Sequence, residues 1–357
     1  MKKNWLLGLS SRMLMLIVAG LLVLSYLTIV VNPAEAWVVT LLGLLFVPLS
    51  IVNLFLVLWA VKRRSKAIFI PLAAFLPAVL FMGRYVQLGE VEVPEHNGMP
   101  LKVISYNAGA FGQYEKRSGI SGRQECADSI IAYLLSQKAD IICLQEFHVE
   151  DINTVKALLR KRFKGYKAEY FINHQYGRGS GNVTLSRFPA VGKGVINFDE
   201  SSNLALYTDY QVNRRKFRVY NCHFQSYGIS FNGMVRAWHA RGEDAIAETG
   251  RKVKKSILLR PKQVNQVLEH IEASPLDAFV CGDFNDNPMS YTYHRMTRDR
   301  KDSFREAGKG FGATFSMLWP MLRIDYVLFP ERCVGVSYKV ERLPYSDHYP
   351  VVAEMSI

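Results

Sequence analysis

The chain has 357 residues, 49% of them apolar and 21% charged, a balance that excludes global disorder and a collagen-like chain. Five cysteines are too few for a disulfide scaffold, and with no CxxC pair and no Cys/His pair at zinc-finger spacing a structural zinc module is excluded. The net charge is +13, and residues 101–357 carry 36 Lys/Arg against 27 Asp/Glu, a surplus that suits a polyanion, either nucleic acid or an anionic membrane.

Three apolar runs come first. Residues 5–31 hold one basic residue, Arg12; residues 37–61 hold no charge before Lys62; residues 67–82 are again uncharged. A hydrocarbon core about 30 Å thick takes roughly 20 helical residues to cross. The first two runs meet that length. The third carries Pro71 and Pro77 and meets it only with its flank through Leu88. A soluble helix needs a polar face, which these runs lack. The expectation is a transmembrane region over 1–88, with helices at about 5–31, 37–61 and 67–88. Lys2 and Lys3 also fit a signal peptide, but no small-residue cleavage site follows and two more apolar runs do.

Basic residues set the orientation. Lys2, Lys3 and Arg12 precede or open the first run, the loop 32–36 has none, and the second loop contains Lys62, Arg63, Arg64 and Lys66. This reading gives a protein integral to the inner cell membrane, with everything after about residue 88 on the periplasmic side. A re-entrant third run would instead leave that part in the cytoplasm.

Residues 89–100 read as a short polar linker, and 101–357 as one large domain. Leu101–Tyr106 is a short strand-like run. Residues 123–137 are helix-like, with Ile130, Ile131, Leu134 and Leu135 at helical spacing. Ile141–Leu144 is a continuous apolar strand of the kind buried on both faces. Residues 151–163 read as a helix, followed by strands at 166–172, 182–186, 191–198, 204–212 and 216–224. A helix fits 260–273, opening at Arg260 and Pro261, and strands fit 277–281, 323–329, 333–341 and 350–356. Early alternation of helix and strand followed by antiparallel strands fits two sheets packed face to face with helices outside both. The segment 229–256 has no clean period. It reads as a lid, a membrane-surface contact, a nucleic-acid contact or a solvated insertion.

Polar residues gather where these strands end. Asn107 closes the first, Gln145 and Glu146 the second, and Asn221 and His223 a third. Asp283 and Asn285 follow AFVCG, Asp325 lies in RIDYVL, and Asp347 and His348 stand before YPVV. Carboxylates suit Mg²⁺, which keeps waters and shares its shell with substrate phosphate. Imidazoles and amides can hold non-bridging phosphate oxygens. No GxSxG, GxxxxGK[ST], Cys-x₅-Arg or HExxH is present.

The motifs SYNAG, LQEF, SGNVTLSRFP, NCHFQS, CGDFNDNP, RIDYVLF and YSDHYPV, in this order, make residues 101–357 resemble the endonuclease/exonuclease/phosphatase superfamily, the deoxyribonuclease I-like fold. The resemblance implies an α+β fold, a four-layer α/β/β/α sandwich, and metal-dependent cleavage of a phosphate ester. It implies Glu146 as the principal Mg²⁺ ligand (Mn²⁺ being an alternative) and Asn107 near both metal and phosphate. It implies His223 and Asn285 on the phosphate, Asp283 orienting or deprotonating the attacking water, and His348 as the closing His oriented by Asp325. For Asp347 two roles stay open, support of the metal through water or of the turn before Pro350. For Asn182 they are substrate contact or ordinary turn chemistry. Implied substrates are lipid head groups, nucleic acids or small phosphodiesters, and HFQS at 223–226 slightly resembles the sphingomyelinase branch. The functional expectation is a membrane-anchored phosphodiesterase or phosphatase. A DNA or RNA nuclease is one alternative, and a non-catalytic tethered binding module is another.

Overall fold

Apolar continuity at one end and strand periodicity at the other produce two compact units in the computed structural model, which describes residues 2–89, 95–112, 122–175, 178–228 and 243–357. One unit comprises the described residues of Met1–Tyr85, Gly228–Pro261 and Asn287–Arg295; the other comprises those of Val86–Tyr227, Lys262–Asp286 and Met296–Ile357. Residues 90–94 of the expected linker and 229–242 of the aperiodic segment lie outside the described residues.

The helical unit starts with α1 (Lys2–Tyr26), continued by a 3₁₀ turn to Ile29. Ser10–Ile29 is long and apolar enough to cross a membrane. The second apolar run is not one helix. It forms α2 (Trp37–Leu44) and α3 (Phe46–Lys62), bent by 59°. Pro48 has no N–H for the Leu44 carbonyl, so the helical ladder breaks there. The third run is split likewise, into α4 (Phe69–Phe75) and α5 (Val79–Met82) with a 3₁₀ turn carrying Pro77 between them.

These helices bury a few polar side chains within an apolar core and turn large apolar side chains outward. Asn53 is buried and donates to the carbonyls of Val18 (3.3 Å) and Leu49 (2.9 Å). Leu80, Phe69 and Phe55 are 81%, 69% and 66% exposed. Leu22, Phe46, Ala74, Ala78, Tyr85 and Met289 form the unit's core.

In the second unit, alternation builds two six-stranded sheets. The first contains β2 (Pro100–Asn107), β3 (Ile141–Val149), β4 (Lys167–Gln175), β5 (Arg178–Ser186), β13 (Val334–Val340) and β14 (Val351–Ser356), in the order β13-β14-β2-β3-β5-β4. The second contains β6 (Ala190–Asn197), β7 (Leu204–Val212), β8 (Arg215–His223), β9 (Asp277–Asp283), β10 (Arg300–Asp302) and β12 (Asp325–Pro330), in the order β10-β12-β9-β8-β7-β6. Two short strands, β1 (Val86–Gln87) and β11 (Gly310–Phe311), pair separately.

Side chains one residue apart point to opposite faces. Leu101, Val103, Ile141 and Cys143 therefore meet Phe217, Val219, Phe279 and Cys281 between the sheets. Ile104, Tyr106, Ile142 and Leu144 face outward onto α6 (Arg123–Ser136) and α7 (Val155–Arg162), meeting Ile130, Leu134 and Leu159. On the other outer face, the Tyr220 hydroxyl lies 2.9 Å from His270 Nδ1 on α8 (Glu243–Glu272). This is the α/β/β/α sandwich.

The helix expected to open at Arg260 begins instead at Glu243 and carries Pro261 in its interior. Dense charge and Gly250 mask the period of its first half. All five cysteines are buried and free.

Candidate active site

Register carries functional residues to shared strand ends. In the parallel pair β2–β3, Asn107 lies opposite Gln145, and in the parallel pair β8–β9, His223 lies opposite Asp283. Antiparallel β9–β12 sets Asp325 opposite Asp283. Between Leu144 and Phe147 the β3–β5 register shifts, and Glu146 adopts a positive φ of 49°. A bulge of this kind re-aims a side chain. Gly282 is dictated by close approach. It has φ +142°, and a Cβ there would lie 1.8 Å from the Cys222 carbonyl oxygen.

The side chains converge. Asn107 Nδ2 donates to Glu146 Oε1 (3.2 Å) and Asp283 Oδ2 (3.0 Å). His223 Nε2 lies 3.7 Å from Glu146 Oε1 and 3.8 Å from Asp283 Oδ2. His348 Nε2 lies 3.7 Å from Asp283 Oδ2, and its Nδ1 lies 2.9 Å from Asp325 Oδ2. Asn285, at φ 52°, turns its backbone N–H onto Asp283 Oδ1 (2.7 Å) and its amide onto Asp283 Oδ2 (3.1 Å). Of the expected residues, Asn107, Glu146, His223, Asp283, Asn285, Asp325 and His348 thus form one linked cluster.

Asn182 is no turn residue. It sits within β5, is buried, and donates to the Asn221 carbonyl (2.9 Å). It lines a cavity of about 900 Å³ shared with Glu146, His223, His148 and His174. Asp347 has its carboxylate 3.4 Å from Ser346 Oγ, and its carbonyl accepts from Ser316 N–H (2.8 Å).

Two hydroxyls escaped the sequence reading. Ser346 donates to the Asn107 carbonyl (2.9 Å) and accepts from His348 N–H (3.2 Å). Thr314 accepts the N–H groups of Ile324 and Asp325, each at 3.0 Å. Their signal is faint, because Ser and Thr are common in loops; only the position of Ser346 beside Asp347-His348 hints at a role.

Burial pushes the Asp283 carboxyl up to about 6, partly offset by the His348 and His223 charges and by the Asn107 hydrogen bond, while Asp325 adds to the rise. Burial works against a charged His348, yet Asp325 and Asp283 outweigh it and hold its pKa well above the ordinary value.

Asp283, Asp325 and His348 are close enough to share a metal ion. His348, however, is favoured in its protonated form between two carboxylates, and an imidazolium has no lone pair to give. The Glu146 side chain is 38% exposed, which lets a hard cation keep water. His223 Nε2 is buried with no hydrogen-bond partner. An orphaned ring nitrogen beside two carboxylates fits a bound oxyanion with its counter-cation better than an empty apolar pocket. The donor set therefore fits a divalent ion.

Fold and site together define a sandwich enzyme fold with a carboxylate, amide and imidazole centre. The chain belongs to the Endonuclease/Exonuclease/phosphatase family, whose model matches residues 104–348. Members of this family are generally hydrolases of phosphoester bonds and depend on a divalent metal. A model described as a domain of unknown function matches residues 6–85. No curated protein matches.

Among solved structures, an endonuclease/exonuclease/phosphatase from Beutenbergia cavernae is similar at 19% identity and TM-score 0.52, covering 72% of this chain and 72% of that one. The human Nocturnin catalytic domain with bound sulfate is similar at 17% identity and TM-score 0.52, covering 73% and 97%. D. rerio TDP2 complexed with a single-strand DNA product is similar at 16% identity and TM-score 0.51, covering 72% and 99%. These likenesses establish the shared fold.

Proposed function

We propose that this chain is a membrane-anchored, Mg²⁺-dependent hydrolase of phosphate esters. The observation that carries the reading is the meeting of Asn107, Glu146, His223 and Asp283, with a buried, unpartnered His223 Nε2 facing both carboxylates.

In this reading Asp283 takes the proton of the attacking water. Its two oxygens are fixed by Asn107 and by the backbone and side chain of Asn285, so its basic lone pair is aimed before substrate arrives. His223 donates through Nε2 to a non-bridging phosphate oxygen, while Asn285, whose amide donates to the Phe224 carbonyl (2.9 Å) and to Asp283 (3.1 Å), serves the phosphate by aiming Asp283. His348 is kept charged and in one orientation by Asp325 and faces the developing negative charge. Mg²⁺ held by Glu146 and Asn107, with Asp347 supporting it through water, would supply Lewis-acid charge relief at the phosphate.

Support for the anchor is the helical unit. Ser10–Ile29 spans 20 residues and contains an 18-residue window with a mean hydropathy of 2.1. It buries Ser25, and its neighbours turn Leu80, Phe69 and Phe55 outward while burying Asn53. Water would penalise that arrangement, whereas hydrocarbon solvates it. The basic loops favour a catalytic unit on the periplasmic side.

The surplus of basic residues in 101–357 favours a second reading, a nuclease acting on DNA or RNA. The deciding experiment uses the full chain in detergent with bis-p-nitrophenyl phosphate, Mg²⁺ or Mn²⁺, and EDTA. Turnover abolished by EDTA is expected. Metal-independent turnover, or none with any divalent cation, would overturn the hydrolase reading. Plasmid DNA, sphingomyelin and phosphoinositides then separate the substrates.

A further inference from the structure

One residue beyond the Asp283–Asn285 turn, the chain enters the helical unit. Phe284 N–H donates to the Ile324 carbonyl (2.8 Å), and the Asp286 carbonyl accepts from the Tyr326 hydroxyl (2.9 Å), both within the sandwich. One peptide bond later, Asn287 opens the stretch Asn287–Arg295 of the other unit.

That stretch is fastened by four separate points of the N-terminal helices. The Thr28 hydroxyl, 261 residues away, is aimed at the Met289 carbonyl. Asn287 Nδ2 donates to the Gly43 carbonyl (3.1 Å). Arg84 Nη1 donates to the Pro288 carbonyl (2.8 Å). The Tyr85 hydroxyl reaches Asn287 Oδ1 at 3.4 Å, and the same oxygen accepts Met289 N–H at 2.7 Å. The Met289 side chain is fully buried in the helical core. The packing is close: a Cβ on Gly43 would lie 2.7 Å from Thr28 Oγ1 and 3.3 Å from the Met289 carbonyl oxygen.

A membrane anchor alone needs none of this. A tether requires length and hydrophobicity, whereas these are directed hydrogen bonds to backbone carbonyls of one short segment. That segment is two residues downstream of Asn285 and four downstream of Asp283.

We propose that Thr28 and Arg84 are positioning residues for catalysis. They hold Asn287–Met289, and through the backbone that runs on from Asn285 they restrain the turn that carries Asp283 and Asn285. This inference rests on the hydrolase reading. A proton acceptor displaced by even about 1 Å costs up to about 10²-fold in rate, and the loss falls on turnover rather than substrate affinity.

The test measures kcat and KM of the full chain in detergent for bis-p-nitrophenyl phosphate with Mg²⁺. Thr28→Val removes the hydroxyl at nearly constant volume, and Thr28→Ser keeps it. Arg84→Gln releases the Pro288 carbonyl and stands in if Thr28→Val does not purify as a folded protein. Asn53→Ala is the control, since it deletes one bond between helices, to Val18, and one within α3, to Leu49, neither of which involves 287–295. The expected result is a fall in kcat of about 10- to 10²-fold in Thr28→Val and Arg84→Gln with KM within about twofold, and wild-type kcat in Thr28→Ser and Asn53→Ala. Wild-type kcat in Thr28→Val and Arg84→Gln would overturn the inference alone. So would an equal loss in Asn53→Ala, which would reduce the effect to stability of the bundle. A wild-type chain without turnover would remove the hydrolase reading and this inference with it.

Discussion

His348 Nδ1 stands 2.9 Å from one oxygen of Asp325 and 3.1 Å from the other. The carboxylate is fully buried, and Thr314 Oγ1 holds its backbone N–H. The pair is therefore a fixed dipole whose imidazole end points at Asp283. Asp325→Asn keeps the shape and removes the charge. The expected outcome is a loss of about 10²–10³ in kcat, together with a downward shift of the pH at which His348 loses its proton. A pH–rate profile of the variant checks both.

The two ionisations bracket activity. Water activation by Asp283 requires the carboxylate, so kcat/KM should rise with unit slope as pH increases through about 6. His348 stays protonated to well above its ordinary value, which sets the upper limit on the alkaline side. A profile flat between pH 5 and 7 would contradict the role given to Asp283.

The same carboxyl carries a stability cost. Its folded pKa lies above the unfolded one, so the native state binds its proton more tightly and stability falls as pH rises from about 4 to about 6. Above that window the buried charge costs on the order of a few kcal/mol. Asp283→Asn is expected to lose at least about 10² in turnover while melting at the same or a higher temperature at pH 8. A clear drop in melting temperature would show that the charge stabilises the fold instead.

Glu146→Gln addresses the metal. The substitution preserves the bulged backbone and removes the anionic ligand, so Mg²⁺ affinity read by calorimetry should weaken by more than about tenfold. Unchanged affinity would move the metal to the Asp283–Asp325 side of the cluster.

Topology is tested separately. A reporter fused after Ile357 should be active outside the cytoplasm, and alkaline carbonate should leave the chain in the membrane fraction while detergent extracts it. Cytoplasmic reporter activity would indicate that the third apolar run does not cross.

Much of the sandwich was legible because its strands are short β-rich apolar runs, several of them buried on both faces. The expected strand 204–212 is Leu204–Val212 in the structure, and the inward set Val103, Cys143, Val219 and Cys281 follows from period two. The cluster was legible where a carboxylate or imidazole ends a strand. Ser346 and Thr314 were not, because a hydroxyl announces nothing until its partner is placed. Asn182 read as a possible turn from its Gly neighbour, and burial in β5 overruled that. The bend at Leu45 was latent in Pro48, but apolar length outweighed it. The membership of 287–295 in the helical unit depends on side-chain bonds between residues more than 200 positions apart, which no local pattern carries.

Every sulfhydryl in the chain is enclosed; burial pushes the Cys126 thiol up to about 11 and the Cys222 thiol higher still, and a hydrogen bond with Cys143 together with burial raises the Cys281 thiol well above its ordinary value. The folded molecule thus offers an alkylating reagent almost no thiolate to attack. An opened molecule offers five. Mass increments after a brief pulse of iodoacetamide therefore count unfolded copies directly, in detergent or in native membranes, with no label engineered into the chain.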